Sequence, residues 1–149
     1  MISPMLILFE RAARCLVGRP VRVRLQPPII KSFDGQAYDY KGVATVDIKP
    51  GFDDKTTLYI FCHECAHIKA GHGAVMDPDQ APGSLDLTVL GAQLRKVHPL
   101  TRGQEDGADS MAATWQEYAN QHYKEYTGDT TLARQLRALA GYIPPEVQA

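Results

Sequence analysis

Residues 56–72 read Thr56-Thr57-Leu58-Tyr59-Ile60-Phe61-Cys62-His63-Glu64-Cys65-Ala66-His67-Ile68-Lys69-Ala70-Gly71-His72. The run contains no proline and no glycine before Gly71, so it predicts one helix over Thr56–His72, stopped by Gly71 and Gly73. Inside it, His63-Glu64-Cys65-Ala66-His67 has the form HExxH. At ~100° per residue, positions four apart differ by only ~40° in direction, so both imidazoles can reach one ion from one face. Glu64 lies ~100° from His63, displaced from that pair but near enough to reach a water at the ion. Zinc held by three protein ligands with an open position brings such a water to a pKa of about 7, and an adjacent carboxylate can then take and return its proton.

HExxH leaves a third ligand to find. Downstream, Glu105-Asp106-Gly107-Ala108-Asp109 has the form ExxAD, and its two acids, four apart, again share a helix face. Glu105 is the best-placed carboxylate to complete a zinc site. Asp109 can receive the free N–H of a ligand histidine and so fix its tautomer. The alternative is an acidic first turn that merely complements the helix dipole.

The flanking segments set the fold class. Ser3, Pro4 and Gly18 mark the ends of a first helix whose early turns are almost wholly apolar, suited to burial or a partner. Val21–Leu25 alternates as a strand up to Pro27-Pro28, and Ile29–Tyr40 reads as a hairpin about Asp34-Gly35. Gly42–Ile48 is a further strand, closed by Pro50-Gly51, whose edge could pair with an extended substrate or be an ordinary strand. After the HExxH segment come a loop over Met76–Gly83 and a helix over Ser84–Val97, interrupted by Gly91 and ended by Pro99. A capping box, Thr101-Arg102-Gly103-Gln104, opens a long helix to about Tyr126, and Asp129 or Thr130 caps a last one to Ala140. Helix, strands, then helices predict a single α+β domain over residues 1–149, with a small antiparallel or mixed sheet packed against the HExxH helix.

Composition narrows the function. With 44% hydrophobic and 22% charged residues the chain is globular rather than disordered. A net charge of -1 without a Lys/Arg run argues against a nucleic-acid partner. No apolar run approaches the ~18 residues of a membrane span, and Met1–Phe9 lacks the basic start and cleavage pattern of a signal peptide. Three cysteines, an odd number, suit a reducing cytoplasm.

HExxH followed on a later helix by ExxAD resembles the gluzincin metallopeptidases. Ile48 ending a strand, then Thr57–Cys62 leading into His63–His72, is most similar to the ImmA/IrrE family, over about Gly42–Trp115. The resemblance implies a minimal zincin-like core with zinc on His63, His67 and Glu105, Glu64 as general base and later acid, and Asp109 behind a ligand histidine. It also implies a small cytoplasmic metalloendopeptidase of phage or mobile-element type, acting on an intracellular protein such as a transcriptional repressor. The chain departs from the family pattern after the glutamate, where Ser110–Trp115 keeps only an alanine, and it shows no helix-turn-helix partner domain. A metzincin reading fails, since it needs Gly at Ala70 and His at Gly73.

Other constellations compete. Cys62 and Cys65 form a C-x-x-C overlapping the HExxH, but they fall ~100–160° from His63 and read as small hydrophobes beside Leu58 and Phe61. His72 is about opposite the active face and suits the helix end. Tyr59 shares the His63 face, either lining the cleft or in the core. Tyr38, Tyr40, His98, Arg102, His122 and Tyr123 are open candidates for stabilising an oxyanion. The main alternative to an enzyme is a non-catalytic binding module in which zinc, closed by four protein ligands, only stabilises the fold.

Overall fold

The computed structural model describes residues 3–28, 33–71, 74–76 and 102–144. The expected loop over Met76–Gly83 beyond its first residue, the helix over Ser84–Val97, Pro99, and the residues His72, Gly73, His98 and Thr101 lie outside them, as do the side chains of Arg102 and Gln104. In chain order the elements are α1 (Pro4–Val17), β1 (Val21–Arg24), β2 (Gly35–Tyr40), β3 (Val43–Ile48), α2 (Asp54–Lys69) and β4 (Ala74–Met76). There follow α3 (Arg102–His122), a 3-10 turn (Tyr123–Glu125) and α4 (Thr131–Leu139). The fold is α+β. Among the described residues, no helix is long and apolar enough to cross a membrane.

The sheet is mixed, in the order β1-β3-β2-β4. β1 runs parallel to β3, β2 antiparallel to β3, and β4 parallel to β2. The β2–β3 hairpin turns on Lys41-Gly42, both left-handed at φ 54° and 78°, with Tyr40 opposite Val43. Two consecutive positive φ values are what a two-residue turn needs to match the strand twist. The hairpin expected about Asp34-Gly35 is therefore displaced: Gly35 opens β2 opposite Ile48, and the Asp34 carbonyl accepts from Lys49 N at 2.8 Å. The idea that the Gly42–Ile48 strand offers an edge to substrate is also corrected. β3 lies inside the sheet, so β1 and β2 use its backbone hydrogen bonds.

Register divides the sheet into two faces. Val21, Val23, Ala44, Val46 and Ile48 share one face and join the core formed with the helices. α1 contributes Phe9, Ala12, Ala13 and Leu16, and Phe9 meets Phe61 of α2 edge-on with ring centroids 5.1 Å apart. Of the early apolar turns of α1, Phe9 is buried, Met5, Leu6 and Leu8 are half-buried and Ile7 is exposed; Gly18 at φ 88° ends the helix. The other sheet face is polar. There the wholly buried Asp47 accepts from Arg24 Nε and from the Tyr38 hydroxyl, both at 2.9 Å, and Arg24 also touches the Tyr38 oxygen. Burial holds the Asp47 carboxyl above its usual range despite the opposing pull of the Arg24 guanidinium.

α2 starts two residues before the expected Thr56, because the Asp53 side chain accepts from Thr56 N at 2.7 Å and caps the helix there. It ends at Lys69, with Gly71 at φ 78°. The helix crosses β2 closely at Gly35, where an added Cβ would clash with Ile60 Cγ2 and lie 3.1 Å from Glu64 Cγ. Glycine is needed there for room, since its φ is not positive. Gly35→Ala should accordingly cost about 1–3 kcal/mol, read as a lower urea midpoint at unchanged m-value. An unchanged midpoint would mean that α2 can lift from the sheet without loss.

Candidate metal centre

Both helices of the centre carry an i, i+4 ladder. On α2 the stripe is Tyr59, His63, His67; on α3 it is Glu105, Asp109. Between its exposed ends α2 buries Leu58, Ile60, Phe61, Cys62, Cys65, Ala66 and Ile68, which sets the stripe on the flank that meets α3. The small side chains of Ala108 and Ala112, both buried on α3, let the two backbones approach. The ladders meet antiparallel, His67 against Glu105, His63 between Glu105 and Asp109, and Tyr59 against Asp109.

The distances suit one shared cation. His63 Nε2 and His67 Nε2 are 3.1 Å apart. Glu105 Oε2 lies 3.1 Å from His63 Nε2, and Glu105 Oε1 lies 3.3 Å from His67 Nε2. Donors arranged tetrahedrally at bonds of ~2.0–2.1 Å stand about 3.3–3.4 Å apart, so small adjustments seat an ion among all three. Among the described residues, His63, His67 and Glu105 are the group that could hold a metal. Their burial is graded: the His67 side chain is 4% exposed, that of His63 17%, and that of Glu105 41%, so the group opens toward solvent on the Glu105 side. Two imidazoles and a carboxylate are a donor set that zinc accepts.

Behind the pair, Asp109 Oδ1 stands 2.9 Å from His63 Nδ1. That nitrogen is buried, and the contact is close without being well aligned as a hydrogen bond. Asp109 Oδ1 also accepts from the Tyr59 hydroxyl at 2.5 Å. Burial, with the Asp109 hydrogen bond second, pushes the Tyr59 phenol up to about 12, so it is a donor at neutral pH.

Glu64 points to the sheet side of the same turn, its Cγ near the Gly35 backbone, and it is almost wholly buried. Burial first, and the Glu105 charge second, push its carboxyl up to about 8. A divalent cation nearby opposes both effects. Cys62 and Cys65 are free and fully buried, and burial pushes both thiols far up, so they stay protonated and pack as small hydrophobes.

The open oxyanion candidates fare differently. Tyr38 and Tyr40 lie on the polar sheet face, away from α2, and Tyr38 is bonded to Asp47. His122 bonds Glu125 at 2.8 Å and ends α3, with Tyr123 next to it, at the far end of the helix from Glu105. At 1.5 Å per residue that is about 25 Å from Glu105. None of these four is brought to the centre. Sequence reasoning left Tyr59 between cleft and core, and the signal that places it was its spacing of four from His63. Gly35 carried no sequence signal for its closeness to Glu64.

No family model, curated protein or solved structure matches the chain.

In chelator-treated protein the Glu64 carboxyl titrates near 8 when folded against 4.5 as the ordinary value. A raised pKa adds stability at low pH that is lost as pH rises through the folded value. Wild-type thermal midpoints should therefore fall between about pH 5 and pH 8 relative to Glu64→Gln, and the two should converge at lower pH. Parallel curves across that range would contradict the burial of this carboxyl.

Proposed function

We propose that the chain is a zinc-dependent metalloendopeptidase with a minimal zincin-like core of the gluzincin type, similar to the ImmA/IrrE family. The observation that carries this reading is the convergence of His63, His67 and Glu105 donors within 3.1–3.3 Å of one another, with Glu64 one residue from the first ligand. Zinc bound there would supply a Lewis acid for the scissile carbonyl and a lowered pKa for attacking water.

The chain's own groups do the rest. Glu64, buried and next to the ligand pair, takes the proton from the attacking water and passes it to the leaving nitrogen. Burial raises its proton affinity and a bound cation lowers it, and a general base needs the balance of the two. The Asp109 carboxylate, 2.9 Å from His63 Nδ1, favours a proton on that nitrogen, which would leave Nε2 bare for the ion. The exposed side of Glu105 is where a peptide enters. An intracellular protein is the proposed substrate class, with transcriptional repressors as the form the resemblance suggests. Three unpaired cysteines support a reducing, cytoplasmic setting.

The test is a peptide library incubated with zinc-loaded protein and read by mass spectrometry for new termini. Glu64→Gln should keep zinc and lose about 10²-fold or more in cleavage, and His63→Ala should lose both. Full cleavage by Glu64→Gln, or by chelated wild type, would overturn the reading.

A further inference from the structure

Asp109 is an exposed residue with a demanding neighbour. Its side chain is 50% exposed, yet one oxygen lies against the buried Nδ1 of His63. A half-exposed aspartate on a helix surface has several rotamers and competing water, and a single contact to an imidazole does not select one. Tyr59 supplies a second anchor. It sits one turn before His63 on α2, its ring centroid is 5.7 Å from the imidazole, and its hydroxyl donates to the same Asp109 oxygen at 2.5 Å. Tyr59 is 39% exposed, but it has only two side-chain torsions to order and its ring lies against His63.

We propose that Tyr59 is a positioning residue of the metal centre: by holding Asp109 Oδ1 against His63 Nδ1 it fixes the tautomer that leaves His63 Nε2 bare toward His67 and Glu105. The inference rests on the metal role proposed for those three residues. Donation from Tyr59 keeps the carboxylate over Nδ1, so the proton stays there and the ligand nitrogen needs no rearrangement when the ion arrives. Without the hydroxyl, Asp109 turns to solvent and His63 samples the tautomer protonated at Nε2, which cannot ligate.

The test compares zinc affinities, measured by competition with a chromogenic chelator, for wild type, Tyr59→Phe, Asp109→Ala and the double variant. Tyr59→Phe, which keeps the ring, should bind zinc about tenfold more weakly, the low end of what supporting partners of ligands contribute. The double variant should bind no more weakly than Asp109→Ala alone, since the hydroxyl acts through that carboxylate. The imidazole ¹⁵N spectrum of folded Tyr59→Phe should show the His63 tautomer shifted from the wild-type form, a change that a mere tie between helices would not produce. Unchanged affinity in Tyr59→Phe, a wild-type ¹⁵N pattern, or losses that add in the double variant would overturn the inference. Absence of zinc binding by the wild type would instead overturn the metal reading itself, and that shows in the wild-type titration alone.

Discussion

Two antiparallel helices, each bearing polar groups four residues apart, are pressed so closely that their ladders interlock. α2 presents Tyr59, His63 and His67; α3 presents Glu105 and Asp109. Four-residue spacing puts one side chain per turn on a common line, and antiparallel crossing matches the turns of one helix to those of the other in reverse order. Everything at the centre follows from that match. Ala108 and Ala112, small and buried on α3, suit the close packing of the two helices that brings the carboxylate to both imidazoles. The imidazoles are held only because the other sides of α2 are sunk in the core.

The apolar architecture exists to hold α2 at a fixed height. Ala44, Val46 and Ile48 of β3 floor the helix, Phe9 of α1 meets Phe61, and Gly35 lets Ile60 and Glu64 lie against the start of β2. The consequence is chemical as well as mechanical. Seating the helix this low buries Glu64, and a buried carboxyl beside a second carboxylate holds its proton more tightly than one in water. On the far side of the sheet the buried Asp47 is compensated by Arg24 and Tyr38, so charge placed in the interior is paired there. The His63, His67 and Glu105 group, by contrast, is one that could hold a cation.

Much of this was legible in the sequence because it depends on local spacing. HExxH and ExxAD fix ladders within single helices, and Gly18, Thr130 and the Pro4 start give the ends of α1 and α4 from capping chemistry alone. What was not legible depends on pairing between distant segments. The hairpin turns on Lys41-Gly42 and not on Asp34-Gly35, and Gly35 instead lies where α2 crosses β2. β3 became an inner strand through its parallel partner β1, which no local pattern announces. Tyr59 was ambiguous for the same reason: its role is set by Asp109, fifty positions away on another helix.

Zinc K-edge X-ray absorption on protein loaded with one equivalent of zinc addresses the centre most directly. The expected result is a first shell of nitrogen and oxygen at ~2.0–2.1 Å with the multiple-scattering signature of two imidazoles and no sulfur. A shell containing sulfur at ~2.3 Å, which would enlist the buried Cys62 or Cys65, or a spectrum with no imidazole contribution, would contradict the convergence of His63, His67 and Glu105 on one ion.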